Sequence, residues 1–431
     1  MKWFAVLLLA WSLGADARAE TCPAGAFRNQ GNAPDLLVLA PVESIPAPGL
    51  RWLFLDGRRG STLDADSMVR CRSGAVEVRT HDGSWRRWSP IELARTDVEF
   101  TSAATPLAGR LIEPAATAEP LPLVVMVHGS ERTPALDSPY AYLLAAQRIR
   151  VFVYDKRGTG RSAGQYTQNF ELLAEDAANA LAQARVLAAG RYDRAGYFGG
   201  SQGGWVAPLA ATRAPADFVA VGFGLVVSPI DEDREQMIAE AHALGLGPEA
   251  LQGIERLSKA TAELLTSHFE SGYEALAAVR EDPSTAAWAG QVKGEHSGAM
   301  LLTPEAELRR IGRARFDNLE LIWDYDAVAA LRKLEAPLLW VLAEKDREAP
   351  IERTRDLLLS LASAGQPIDI HLFPDTDHGM VEFTEAPDGS RQVTRITDGY
   401  LRLLGDWIRG VSAEPYGRGV RLQEPKTRLP D

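Results

Sequence analysis

After Thr96 the chain carries six short apolar runs: Leu123–Val127, Arg150–Tyr154, Ala195–Phe198, Phe218–Val227, Leu338–Ala343 and Ile368–Phe373. A strand with one face in water alternates apolar and polar residues. Runs without that alternation suit strands covered on both faces, which is the situation in a parallel sheet. Helical stretches separate the runs. The clearest is "FELLAEDAANALAQARVLAAG", with apolar residues at helical spacing and Gly190 as a stop. Strand, helix and strand in succession make βαβ units, so the expected class is α/β, with a mostly parallel central sheet and helices on both faces. At 431 residues and 46% hydrophobic, the chain can bury such a core and still hold further domains.

Two segments depart from this texture. From Leu36 to Leu93, stretches such as "LRWLFLDG" and "AVEVRTHDGSWRRW" alternate apolar and polar residues between Gly and Asp turns. They predict a small β-rich N-terminal domain over 20–95. The cluster Trp85, Arg86, Arg87 and Trp88 reads as a strand end with snorkelling arginines. Between Asp231 and Glu335 the strand signal vanishes. Sequences such as "PEALQGIERLSKATAELLTSHFESGYEALAAV" predict a helical cap over 231–335, placed where an α/β sheet puts its ligands. The catalytic domain is then 96–230 with 336–412, and the polar tail 413–431 is expected to be draped or frayed.

The opening "MKWFAVLLLAWSLGADARAE" has a lysine, an apolar run and Ala17-Arg18-Ala19. That is the pattern of a secretory signal peptide over 1–19, and it predicts export to the periplasm or medium, with no stable membrane insertion after cleavage. Cys22 and Cys71 are the only cysteines, and an oxidising compartment makes a disulfide between them the expected state. A formal net charge of -12 argues against nucleic acid or anionic lipid as partners.

The chemistry is carried by "YFGGSQGGW". Gly199-Gly200-Ser201-Gln202-Gly203 has the G-x-S-x-G spacing, with a strand before it and a helix after it. Such a turn forces strained backbone angles on the serine and leaves no room for side chains two residues to either side, hence Gly199 and Gly203. It places the hydroxyl at a helix N-terminus, where developing negative charge is favoured. A serine hydroxyl needs an adjacent base. Of the downstream histidines, His242, His268 and His296 lie in the helical insert and His371 lies inside the last strand. His378, in "LFPDTDHGM", follows that strand on a loop and is the expected base. The acid should follow the preceding strand, and "PLLWVLAEKDREAP" places Asp346 there, with Glu344 as a rival. Asp375 and Asp377 are expected to shape the histidine loop. For the oxyanion, the backbone N–H groups of Gln202 and of Ser130, in "HGSERTP", are the expected donors, with His128 a structural bracket for that loop.

Taken together, "VVMVHG", "YDKRGTGRSAG", "GGSQGGW", "VLAEKDREAP" and "FPDTDHGM" resemble the α/β-hydrolase superfamily over about Thr96 to Arg409. More narrowly, the chain is similar to the bacterial branch of capped esterases and proline-iminopeptidase-like peptidases. The resemblance implies an eight-stranded, mostly parallel sheet, a helical cap, and a Ser–Asp–His triad falling on Ser201, Asp346 and His378. Ala343 stands where many relatives carry glycine, and the leading β-rich domain lies outside the common pattern. The expected activity is hydrolysis of carboxylic esters or related small acyl compounds. The alternative is an aminopeptidase or amidase whose cap carboxylates, such as Glu235, Glu240 or Asp324, hold a substrate amine. A non-catalytic binding protein of the same fold would have a broken triad. No dinucleotide fingerprint, Walker loop or metal-ligand motif is found, so neither cofactor nor metal is expected.

Overall fold

The computed structural model describes residues 22–30, 35–41, 49–115, 117 and 119–423. The signal-peptide expectation over 1–19 and the end of the tail lie outside the described residues. The centre is a nine-stranded sheet built from β1 (Leu93–Ser102), β2 (Thr105–Pro114), β3 (Leu121–Val127), β4 (Arg150–Tyr154), β5 (Tyr192–Gly200), β6 (Phe218–Gly222), β7 (Leu338–Ala343), β8 (Ile368–Phe373) and β9 (Val420–Gln423). Its order is β9-β8-β7-β6-β5-β3-β4-β2-β1. The pairs β4/β3, β3/β5, β5/β6, β6/β7 and β7/β8 are parallel. The pairs β1/β2, β2/β4 and β8/β9 are antiparallel. Each of the six apolar runs falls on one of these parallel strands, although the run Phe218–Val227 continues past the end of β6 at Gly222. The chain winds outward from β3 to β4, then returns to the other side of β3 with β5. That reversal opens a crevice at the strand C-termini, the place where open α/β sheets bind ligands.

Helices cover both faces. On one side α2 (Phe170–Leu187), α3 (Gly203–Arg213), α9 (Ala327–Lys333) and α10 (Glu352–Ser363) bury Phe170, Trp205, Leu331 and Leu358 against the sheet. On the other, α1 (Pro139–Ala146) and α11 (Tyr400–Ile408) bury Leu143 and Leu404. Between α3 and α9 the chain forms α4 (Pro229–Ala243), α5 (Pro248–Thr266), α6 (Tyr273–Glu281), α7 (Ser297–Leu302) and α8 (Glu305–Phe316), which share their own core around Met237, Leu257, Leu276 and Trp288. The helix α9, placed in the insert by the sequence reading, packs with the sheet instead.

The N-terminal region is antiparallel and β-rich, as expected: a five-stranded sheet and a three-stranded one. Trp88 is buried against Phe54, their ring centroids 5.5 Å apart, while Arg86 and Arg87 are exposed at a strand end. The described part of the tail is draped on the sheet. Residues Val420–Gln423 are not frayed but add β9 to the edge of β8, where the Arg421 guanidinium reaches Asp369 at 2.8 Å. A second difference follows His378. Thr376–Asp377, Val381–Glu385 and Arg391–Ile396 form a small antiparallel sheet, and the Ile396 N–H donates to the Gly57 carbonyl at 3.0 Å, joining this sheet to the N-terminal region. No helix among the described residues is long and apolar enough to cross a membrane.

Cys22 and Cys71 form a disulfide, with Cα atoms 5.2 Å apart and 49 positions of separation. Closing a loop of that length restricts the unfolded chain by about 4 kcal/mol in the chain-entropy account. Cys71→Ser is therefore expected to lower the unfolding free energy of the N-terminal region by about 2–4 kcal/mol, read as a shift of the urea midpoint.

Candidate active site

The end of β5 makes the tight turn the sequence called for. Ser201 has φ of 52°, a left-handed conformation unusual for a residue with a side chain. Its N–H donates to the Gly222 carbonyl at 3.1 Å, and the Gly204 N–H donates to the Ser201 carbonyl at 2.7 Å. A Cβ on Gly199 would run into the Gly203 backbone, and one on Gly203 would come within 2.8 Å of the Val127 carbonyl oxygen. Glycine is required at both positions by backbone crowding from the neighbouring strand and helix, not by the turn's dihedrals alone. Gln202, buried, is the N-cap of α3.

Asp346 and His378 come from the loops after β7 and β8. The Glu344 N–H donates to the Phe373 carbonyl at 3.0 Å and the Lys345 N–H to the Thr376 carbonyl at 2.8 Å, so the two loops are zipped together beyond the strands. Asp377 braces them further. Its Oδ1 accepts from the Arg347 and His378 N–H groups at 3.1 and 2.9 Å, and its other oxygen pairs with Arg391. In this frame His378 Nδ1 lies 2.9 Å from Asp346 Oδ2, and His378 Nε2 lies 3.1 Å from Ser201 Oγ. A carboxylate beside Nδ1 selects the tautomer protonated there, leaving Nε2 to accept from the serine hydroxyl. Asp346 Oδ1 accepts the Ala349 N–H at 2.8 Å, which locks the carboxylate. Glu344 points elsewhere, accepting the Asp375 N–H at 3.2 Å.

Burial disfavours an imidazolium at His378. The hydrogen bond and charge of Asp346, with the charges of Glu348 and Asp377, outweigh it, and the pKa lies above the usual 6.5. Burial likewise pushes the Asp346 carboxyl up, against the pull of His378.

The loop after β3 lies against the serine: a Cβ on Gly129 would sit 3.4 Å from Ser201 Cβ. Two side chains hold its carbonyls. Lys156 Nζ donates to the Gly129 carbonyl at 2.6 Å, and the Tyr166 hydroxyl donates to the Ser130 carbonyl at 2.5 Å. Burial brings the Lys156 pKa down to about 8. His128 Nε2 is tied to the Tyr154 carbonyl at 2.5 Å.

Above Ser201 the α4–α8 helices roof a cavity of about 670 Å³, lined among others by Ser130, Gln202, His378, Glu232, Glu295 and Glu348. The carboxylates named from the sequence are not among its lining residues. Glu235 pairs with Arg234 at 2.8 Å, Glu240 accepts the Lys293 N–H at 2.6 Å, and Asp324 lines a separate groove. Sequence reading missed the three that are there. Glu348 Oε2 lies 3.4 Å from His378 Nε2. Burial and neighbouring carboxylates hold the Glu232 carboxyl well above its usual range and raise Glu295 as well. Gln202 Oε1 and Gln236 Oε1 are buried in the same region with no hydrogen-bond partner among the described residues.

A family model described as serine aminopeptidase, S33, matches residues 118–287. Among solved structures, an esterase of Pyrococcus furiosus is similar at 14% identity over 67% of this chain and 84% of that one, with a TM-score of 0.43. Brefeldin A esterase, a bacterial homologue of human hormone sensitive lipase, is similar at 18% identity over 67% and 70%, TM-score 0.41. An acylaminoacyl peptidase of Pyrococcus horikoshii is similar at 15% identity over 77% and 44%, TM-score 0.42. No curated protein matches the sequence. The family match runs from the first parallel strand through the serine turn into the roofing helices; the strand order is that of an α/β-hydrolase fold, and the matched segment supports a hydrolase of the ester- or peptide-cleaving type.

Proposed function

We propose that the chain is a serine hydrolase that cleaves carboxylic esters or related acyl compounds through an acyl-enzyme on Ser201. The observation that carries this is the continuous line of contacts from Ser201 Oγ through His378 to Asp346. His378 Nε2 takes the hydroxyl proton as Oγ attacks the carbonyl carbon, and Asp346 steadies the imidazolium that forms. The same proton then passes to the leaving group as the acyl–oxygen bond breaks. Water, deprotonated by His378, releases the acid. The N–H groups of Gln202 and Ser130 stabilise the oxyanion, each worth about 3 kcal/mol of barrier. In a trans peptide the Ser130 N–H points opposite to the Gly129 carbonyl, so the Lys156 hydrogen bond sets that donor's direction. The disulfide supports an exported protein.

A second reading, an aminopeptidase of the same fold, is favoured by one feature. Glu232, Glu295 and Glu348, with the orphaned amide oxygens of Gln202 and Gln236, give the roofed cavity more acceptors than the Arg315 that also lines it can satisfy. Such a cavity suits a substrate part that carries a protonated amine. Labelling by a fluorophosphonate, lost in Ser201→Ala, tests the nucleophile; absence of label in the wild type sinks both readings. Turnover of acyl esters against aminoacyl amides then separates them.

The base also sets a pH dependence. Only neutral His378 can accept the proton, so kcat/KM should fall as pH drops through its pKa, and that limb should lie above pH 6.5 because the pKa is raised. Glu348→Gln removes one of the negative charges responsible and should move the limb to lower pH. A limb that stays fixed in that variant contradicts the assignment of His378 as base.

A further inference from the structure

A second cavity, of about 490 Å³, also reaches Ser201 and shares no other lining residue with the first. Met126, Ala135, Phe198 and Phe223 give its lining a mainly apolar character, with Glu131, Asp137 and His128 also lining it. Pro41 and Arg51 from the N-terminal β-rich region also line it, as does Thr133 in the loop after β3. Ser201 lines both cavities, whereas His378 lines only the one under the helices. That asymmetry assigns the halves of a substrate. The leaving group must lie within hydrogen-bond reach of His378 Nε2 to collect its proton. It therefore occupies the acceptor-rich cavity, and the acyl group must extend the other way.

We propose that the cavity between Ser201 and the N-terminal β-rich region is the acyl subsite, that it takes an uncharged, apolar acyl chain, and that the β-rich region is there a specificity element. This rests on the ester reading above. The wall is anchored. Ala26, Val38 and Leu53 of the β-rich region share a core with α1, and the Gly57 carbonyl is held by the Ile396 N–H. Arg51 is exposed on the strand Leu50–Phe54, and its aliphatic stem can cover an apolar chain while the guanidinium stays in water. A volume of this size lies in the ordinary range for small-molecule sites.

The test uses two series of esters with the full-length mature protein: 4-nitrophenyl esters from acetyl to dodecanoyl, and acetyl esters of alcohols from methanol to octanol. In the wild type, kcat/KM should rise about two- to fourfold per methylene along the acyl series until the cavity is full. Thr133 is exposed, so Thr133→Trp can fill the cavity without disturbing the core. It should lower octanoyl turnover at least about tenfold while changing acetyl turnover less than about threefold, a difference of more than 0.7 kcal/mol converted at the usual tenfold per 1.4. Arg51→Ala should act in the same direction, more weakly. If Thr133→Trp penalises the alcohol series instead, the two halves are reversed and the proposal fails. If acyl length has no effect in the wild type, or Arg51→Ala changes nothing on long chains, the subsite or its β-rich wall is refuted while the serine-hydrolase reading stands. If no ester turns over and no phosphonate labels Ser201, that reading falls first and takes the subsite with it.

Discussion

Ser201→Ala is expected to lower kcat/KM on every accepted substrate by about ten-thousandfold or more, with no measurable loss of folded stability. The magnitude follows from the chemistry. Without Oγ there is no acyl-enzyme, and what remains is whatever the oxyanion donors and binding can do for direct attack by water. The absence of a stability cost follows from the local structure. Both residues pay the same strain for φ of 52°, about 1–3 kcal/mol, and the hydroxyl's partner in the cleft is His378, itself open to the cavity. A stopped-assay comparison with a matched thermal melt reads both quantities. Loss of activity together with a fall in melting temperature would mean that the serine is structural. Retained activity would mean that another nucleophile does the work.

The parts of this site that could be read from the sequence are those whose signals are local. The turn at Ser201 announces itself because its glycines sit at fixed spacing around the serine; the crowding at Gly199 is local, from the Gly203 backbone, although that at Gly203 comes from the neighbouring strand at Val127. His378 and Asp346 could be placed because a parallel sheet delivers the loops after its strands to one edge, so position in chain order substitutes for position in space. The hairpin after His378 had a readable signal too. "VEFTEAPDGSRQVTRI" alternates apolar and polar residues around a Pro-Asp-Gly turn, and its pairing Val381–Glu385 with Arg391–Ile396 is what that pattern asks for. The roofing helices are different. On α4, Glu232 and Gln236 lie four residues apart on one face and meet the cavity, whereas Glu235, rotated about 100° from Gln236, meets Arg234 and Arg353. Which face turns down depends on how α4 packs with α5 and α7, and no local pattern records that. Glu348 has no signal of its own: it sits two residues after Asp346 in a loop of alternating charges, and nothing local says which carboxylate faces Nε2. The strand β9 is four residues long, too short for alternation to distinguish it from a loop.

Asp346→Asn should come close to the serine substitution in effect, about a thousand- to ten-thousandfold in kcat/KM near neutral pH, and for a reason visible in the hydrogen-bond geometry. Asp346 is only 7% exposed, and its Oδ1 is held by the Ala349 N–H, so an asparagine would seat its carbonyl oxygen there. Its NH₂ would then face His378 Nδ1 as a donor. The imidazole must answer with a lone pair at Nδ1, which moves the proton to Nε2 and leaves Ser201 facing a donor where it needs an acceptor. The fold should survive, since size and burial are matched. The variant has a second signature that separates this account from a merely structural role. The Asp346 hydrogen bond and charge lead the effects that raise the His378 pKa, so removing them leaves burial dominant. The imidazolium should then titrate at a lower pH than in the wild type, which NMR of the ring protons can follow. If Asp346→Asn abolishes activity while that titration stays where it was, Asp346 does not act through His378, and Glu348, the other carboxylate within reach of the ring, becomes the residue to substitute next.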